Sequence, residues 1–312
     1  MHKPQIDLVI PVLNEVGVID QFHQQISAVL DGLPYIAHIY FVDDGSTDGT
    51  ADALRAIADS DPDVTVLSLS RNFGHQAALT AGLEACQGDF VISLDGDGQH
   101  PPEMIPQMVK LFEQGYDIVQ AQRIEAGGSF SFKQFTSAIF YSLINRISGT
   151  QIAPGAADFR GMSRQAVEAL KAMPEYHRFL RGMVSWVGYK SVILPYHETN
   201  RMGGKSKYSL GKMFRLAMDA IFSFSLMPLY IGLSAGGMFF CLAALEMIYV
   251  LSFWIKGDTS NLAPGWSSLM FVILIVSGII MVLLGFIGIY VGYIFQEVKK
   301  RPVYLLKRDN RQ

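Results

Sequence analysis

The chain is short of charge and of cysteine. Only 17% of its 312 residues are Asp, Glu, Lys or Arg while half are hydrophobic, a balance too apolar for an ordinary soluble protein. Its two cysteines, Cys86 and Cys241, argue against a disulfide framework or a thiolate metal site and read as reduced packing residues. A net charge of −3, with no basic stripe interleaved with aromatics, points to no nucleic-acid partner. No G-x-G-x-x-G follows the first apolar run, which argues against a dinucleotide site. A signal-peptide pattern is also missing, since a strand-like run begins by Ile6.

The apolar excess lies late in the chain. Residues 228–255 and 268–295 are two apolar runs, each longer than the ~20 residues that cross a bilayer as a helix. They predict four segments: a cytoplasmic catalytic domain over 1–200, a basic loop and interfacial amphipathic helix over 201–226, a two-helix transmembrane anchor over 227–296 and a basic tail over 297–312. Lys205, Lys207, Lys212 and Arg215 precede the first run, and Lys299, Lys300, Arg301, Lys307 and Arg308 follow the second; the loop at 256–267 offers only Lys256. Cations on that side predict a multi-pass protein of the cytoplasmic (inner) membrane with both termini in the cytoplasm. Gly232-x-x-x-Gly236 and Gly288-x-x-x-Gly292 suit close helix pairing, within the chain or between copies as a homo-oligomer. Glu246 in the first run is an intramembrane acid without an evident partner.

Before residue 200 the patterning is globular, and residues 6–123 repeat one unit of short apolar run, turn and amphipathic helix. Apolar runs at 6–12, 39–42, 64–69, 90–94 and 117–121 alternate with helical stretches near 17–30, 48–59, 75–86 and 103–114. Such alternation predicts an α/β fold, Rossmann-like, its sheet mostly parallel with helices on both faces. Ligands of such sheets bind outside the carboxyl ends of the strands. Those ends carry Pro11-Val12-Leu13-Asn14-Glu15, then Asp43 to Thr50, then Ser70-Arg71-Asn72-Phe73-Gly74, then Asp95-Gly96-Asp97-Gly98-Gln99, and finally Gln122-Arg123. Carboxylates thus gather with Arg71 and Arg123. Asp48 is also placed to cap the helix that follows it.

Asp95 and Asp97 stand one residue apart where an apolar run stops. In an extended chain they project the same way and can approach one ion, while Gly96 and Gly98 let the backbone bend and a diphosphate come close. Oxygen ligands suit Mg²⁺ or Mn²⁺. The plainer reading is an ordinary turn between strand and helix. Two later stretches are equally double. Apolar residues at steps of three and four over 129–148 fit a core helix or one lying on a membrane. The run Arg201-Met202-Gly203-Gly204-Lys205-Ser206-Lys207 fits a solvated linker or a phosphate-binding lid. A strand-like run spans 190–196, after helical patterns that reach about 186.

Taken in order, these motifs, with Asp158-Phe159-Arg160 and the two apolar runs, resemble the polyprenyl-phosphate glycosyltransferases of glycosyltransferase family 2, relatives of dolichol-phosphate mannosyltransferase. The resemblance runs from about Ile6 to the C-terminus. It implies the GT-A fold, a metal held by Asp95, Asp97 and Gln99, and donor contacts from Pro11, Glu15, Asp43, Asp44, Arg71, Asp95 and Gly96. It further implies that Arg123 and Arg201 handle phosphate, that Arg201, Lys205, Ser206 and Lys207 meet the acceptor phosphate, and that Asp158 sits beside the reacting centre. The substrates implied are a nucleotide-diphosphate sugar, with UDP-glucose first, and polyprenyl phosphate. The sequence departs from the family pattern at Leu13, His75, Gly96, His100 and Ala157; His100 stands where a carboxylate is usual. A lipid phosphate is largely ionised at neutral pH, so Asp158 is expected to orient the acceptor more than to act as an obligate base, and its loss to hurt less than loss of Asp97. Two other readings are a nucleotide-sugar-binding membrane scaffold and a processive polysaccharide synthase. Against the synthase, Arg181 and Trp186 are wrongly spaced for Q-x-x-R-W.

Overall fold

The computed structural model describes residues 3–124, 156–197, 227–256 and 265–307. The helix predicted at 129–148, the basic loop with Arg201, Lys205, Ser206 and Lys207, and the interfacial helix at 210–226 lie outside them. The chain divides into two units, Met1–Ala220 with Arg301–Gln312, and Ile221–Lys300.

Among the described residues the first unit contains seven strands: β1 (Gln5–Val12), β2 (Ile36–Asp43), β3 (Val64–Ser68), β4 (Phe90–Ser93), β5 (Ile118–Arg123), β6 (Ala156–Ser163) and β7 (Ser191–Tyr196). Six helices accompany them: α1 (Ile19–Leu30), α2 (Thr50–Ser60), α3 (His75–Ala85), α4 (Ile105–Glu113), α5 (Arg164–Lys171) and α6 (Leu180–Trp186). The strand order is β3-β2-β1-β4-β6-β5-β7. β1 pairs in parallel with β2 and β4, β2 with β3, and β5 with β7. The mostly parallel sheet expected from the alternating pattern is therefore present.

β6 is the element the pattern missed. It lies antiparallel between β4 and β5, in a stretch that carries two charged side chains among its apolar ones. Asp158 and Arg160 are buried with Phe159 and Met162, so no alternation of polarity marks the strand.

Both faces of the sheet are covered, which is why Ile6 to Val12 of β1 are all buried and, Asp7 apart, read as an apolar run. Ile6, Leu8, Ile10 and Val12 share one core with Ile19, Phe22, Ile26 and Leu30 of α1 and with Ile105, Met108 and Phe112 of α4. The helical contributions recur at steps of three and four, as a helix on a sheet requires. On the other face α3 lies against β1 so closely that a Cβ on Gly82 would stand 2.3 Å from Val9 Cγ1 and 3.1 Å from Val42 Cγ2. Asp7, fully buried on this side, accepts hydrogen bonds from the Gln87 and Gly88 amides, both at 2.7 Å, so the turn after α3 is tied to the centre of the sheet.

The second unit holds α7 (Met227–Lys256) and α8 (Trp266–Lys299), of 30 and 34 residues. Among the described residues one helical segment, Ile275–Lys299, is long and apolar enough to cross a membrane. Gly232 of α7 meets Leu283 of α8, a close approach within the chain of the kind small residues permit.

Gly82→Ala sets two effects against each other. Alanine favours the helix by up to about 1 kcal/mol, but the overlap with a stiff Val9 side chain costs about 1–3 kcal/mol. The expected result is a net lowering of the urea midpoint of the wild-type protein.

Candidate functional site

The order of the strands reverses at β1 and β4, and the crevice outside their carboxyl ends is where ligands bind in such sheets. Three loops converge there. Asn14, at φ 55°, accepts from the Thr47 amide at 2.8 Å through Oδ1 and donates its own amide to Ser46 Oγ at 3.0 Å. The Glu15 amide donates to Thr50 Oγ1 at 3.0 Å. Asp48 bridges the same two loops, accepting from the Thr50 amide at 3.1 Å and the Val16 amide at 3.4 Å. It thus supports the start of α2 as expected, though the residue preceding the helix is Gly49, at φ 93°.

Asp43 and Asp44 are both buried. Asp43 Oδ1 accepts from the Ser46 amide at 2.9 Å. The Asp44 carboxylate accepts from the amides of Phe73, at 2.7 Å, and Gly74, at 3.0 Å, fixing the approach to α3. Burial pushes the Asp44 carboxyl above its ordinary range, and those two amides only partly offset it. Gly45, at φ +72°, lies against this loop; a Cβ there would stand 2.6 Å from the backbone of Arg71 and Asn72. Arg71 itself is exposed, its guanidinium 4.6 Å from the centre of the Phe73 ring. Pro11 is buried at the end of β1, and its carbonyl lies 3.3 Å from where a Cβ on Gly96 would be.

Asp95, Asp97 and Gln99 are each partly open, whereas Leu94, Gly96, Gly98 and His100 are buried. Asp97 Oδ1 accepts from the Gln99 amide at 3.1 Å, which turns the backbone around the acid. His100 replaces a carboxylate with a clamp. Its Nδ1 accepts from the Asp95 amide at 2.9 Å, which places its proton on Nε2, 3.8 Å from Asp95 Oδ2. The ring stacks on Phe159 with centroids 4.9 Å apart and meets the Tyr196 ring edge-on.

The antiparallel course of β6 brings Asp158 here. Ser93 pairs with Arg160; carrying that register two residues onward sets Asp158 across from Asp95. Ser93 Oγ donates to the Asp158 carbonyl at 2.6 Å. Two guanidiniums grip the Asp158 carboxylate: Arg160 Nη2 at 2.9 Å, and Arg181 through Nε at 3.1 Å and Nη2 at 2.9 Å. Burial disfavours the charge on Asp158, but Arg181, Arg160 and His75 together outweigh it and hold the carboxyl far below the usual range. Such a group is a poor proton acceptor.

His75, the first residue of α3, spans the two acids. Nε2 lies 2.8 Å from Asp95 Oδ1 and Nδ1 3.7 Å from Asp158 Oδ2. Burial lowers its pKa, yet the hydrogen bond to Asp95 and the charges of Asp95 and Asp158 raise it further, to about 9. Asp95 responds in kind: burial alone would raise it, and His100 with His75 brings it below its ordinary value.

Asp43, Asp44, Asp95, Asp97, Gln99 and Asp158 thus fall at or just beyond neighbouring strand ends, and Arg123 ends β5 in an exposed position. Arg160, Arg181, His75 and His100 are the residues the motifs did not single out for a role. Arg181 sits on a short helix, 23 positions from the acid it grips, and only the fold reveals that pairing. Among the described residues no group of three or more His, Cys, Asp or Glu gathers as a ready ligand set. Two carboxylates and an amide still fit a hard divalent ion, which characteristically leaves its other positions to water and phosphate.

A doubly wound sheet with carboxylates and guanidiniums converging on its switch point is the GT-A type of glycosyltransferase domain. Residues 7–171 match the model of the family described as "Glycosyl transferase family 2". The chain is 39% identical over 305 residues to the Bacillus subtilis (strain 168) protein named "uncharacterized glycosyltransferase YkcC", covering 98% of this chain and 94% of that one. To the bactoprenol glucosyl transferase of Shigella phage SfII it is 39% identical over 311 residues, 98% of this chain and 99% of that one. Among solved structures, mannosyl-3-phosphoglycerate synthase from Rubrobacter xylanophilus superposes with a TM-score of 0.50 at 20% identity, over 70% of this chain and 72% of that one, a likeness of fold. The chain belongs to glycosyl transferase family 2 and is a glycosyltransferase.

The His75 shift has a testable sign. Because the folded pKa, about 9, exceeds the ordinary histidine value of 6.5, the stabilisation from protonated His75 is complete below about pH 6.5 and is lost as pH rises through 9. In chelator-treated protein, the difference between the urea midpoints of wild type and His75→Gln is expected to be largest near pH 6 and to shrink by pH 9.5. A difference that does not change with pH contradicts the assignment.

Proposed function

We propose that this protein transfers a sugar, with inversion, from a nucleotide-diphosphate sugar to polyprenyl phosphate at the cytoplasmic face of the inner membrane. Similarity to bactoprenol glucosyl transferases over nearly the whole chain carries the reading, because it extends beyond the nucleotide-binding half into the apolar helices. It makes UDP-glucose the first donor to test. The membrane part is a two-span anchor: α7 is 30 residues long with only Glu246 and Lys256 charged, and α8 contains the apolar segment Ile275–Lys299. The cations flanking the pair place both termini in the cytoplasm. Glycines on these helices favour self-association.

The residues divide the work. Pro11, Glu15, Asp43, Asp44, Arg71 and Gly96 form the donor side of the crevice. Asp95, Asp97 and Gln99 would hold Mg²⁺ or Mn²⁺, which supplies neutralisation of charge on the departing diphosphate. Arg123, with Arg201, Lys205, Ser206 and Lys207, receives the acceptor phosphate, since guanidinium forks suit an anion brought close to another anion. Asp158, kept ionised by Arg181 and Arg160, orients the acceptor. An already ionised phosphate nucleophile asks no general base of it.

The test is a product assay on purified protein in detergent with polyprenyl phosphate, Mg²⁺ or Mn²⁺ and each common nucleotide sugar in turn. A sugar-phosphate-lipid is expected from UDP-glucose. Chelation or Asp97→Ala is expected to reduce its formation by on the order of a hundredfold or more, the equivalent of several kcal/mol of lost charge stabilisation. Donor binding without any lipid product would point instead to a scaffold.

A further inference from the structure

The basic tail predicted at the end of the chain does more than follow the last helix. After α8 ends at Lys299, the chain pairs with the carboxyl end of β3, an edge strand of the sheet, and with the two residues just beyond it. Leu306 forms an antiparallel bridge with Leu69. The Ser70 amide donates to the Leu305 carbonyl at 2.8 Å, and the Lys307 amide donates to the Ser68 carbonyl at 2.8 Å. An exposed strand edge offers unpaired amides and carbonyls, and an added segment satisfies them with main-chain hydrogen bonds alone. Here the segment comes from the same chain.

Side chains extend the attachment. Tyr304 donates its hydroxyl to Glu84 Oε2 at 2.6 Å, and Glu84 Oε1 pairs with Arg178 Nη1 at 3.3 Å. The Arg178 side chain is 6% exposed and lies three residues before Arg181. Two routes therefore run from the tail to the crevice. One passes through Ser70 into the loop that presents Arg71 and gives the Phe73 and Gly74 amides to Asp44. The other passes through Glu84 and Arg178 to the segment that presents Arg181 to Asp158.

We propose that the C-terminal segment at 302–307 is a positioning strap of the donor site. By pairing with Ser68 to Ser70, where β3 ends, it holds the 70–74 loop in the register that sets Asp44 and Arg71, and the same chain that anchors the protein thereby completes its nucleotide pocket. The donor arm of this inference rests on the function proposed above; the conformational arm does not.

Lys307→Pro tests it in the full-length protein, since proline removes the amide that bonds Ser68, and Lys307→Ala, which keeps that amide, is the control. Hydrogen exchange reads the loop directly. In Lys307→Pro the amides of residues 69–74 are expected to exchange about tenfold faster than in wild type, while those of β1 and β4 keep their protection. Calorimetric titration with UDP-glucose and Mn²⁺ is expected to show the Kd raised about tenfold in Lys307→Pro and within about twofold of wild type in Lys307→Ala. Tyr304→Phe, which loses only the hydroxyl to Glu84, is expected to fall between them. Unchanged exchange at 69–74 in Lys307→Pro, or equal effects of proline and alanine, overturns the proposal. If wild type itself fails to bind UDP-glucose, the donor assignment falls, and the exchange result alone still decides the role of the strap.

Discussion

The site depends on the ionic grip of Arg160 and Arg181 on Asp158. Asp158 and Arg160 are both nearly buried, with side chains 7% and 3% exposed. Charges taken out of water at that depth are tolerable only when paired and hydrogen-bonded. The second guanidinium, on Arg181, makes the pair a cluster with more positive than negative charge. Guanidiniums fixed in this way beside the crevice are an electrostatic environment set before any ligand arrives.

That grip is possible because of one topological detail. Had β6 run parallel to its neighbours, its other end would lie at the crevice and Asp158 would sit at the far edge of the sheet. Running antiparallel between β4 and β5, it delivers Asp158 opposite Asp95, where His75 at the start of α3 reaches both. The start of α3 is in turn fixed by Asp44 through the Phe73 and Gly74 amides. The 70–74 loop, Asp44, His75, Asp95 and Asp158 are therefore linked in one polar assembly, and a shift in any strand end is felt by the others.

Much of this was legible in the residues. The runs at 6–12, 64–69 and 90–94 coincide closely with β1, β3 and β4; β1 and β4, in the middle of the sheet and covered on both faces, read as near-continuous apolar runs. α1, α2 and α4 follow from apolar steps of three and four. The acids after β2 and β4 were readable as a group, because several strand ends each carry one, although any single one also fits an ordinary turn. β6 was not, since its buried Asp and Arg neutralise each other across space and mimic a polar loop in sequence. Arg181 looked like a misplaced fragment of another motif, and His100 like the mere loss of a carboxylate. In the fold one grips Asp158 and the other holds the Asp95 backbone. The tail showed its cations but no strand pattern, because main-chain pairing to an edge strand makes few demands on side chains.

The most direct test of the account is a double-mutant cycle on Asp158 and Arg181, read by chemical unfolding of the chelated protein. Asp158→Asn should leave two crowded guanidiniums uncompensated, and Arg181→Met should remove one of them. The account predicts that the double variant loses less stability than the sum of the single losses, by about 1–3 kcal/mol. Additive losses would mean that Asp158 and Arg181 are merely neighbours, and the electrostatic centre of the site would have to be sought elsewhere.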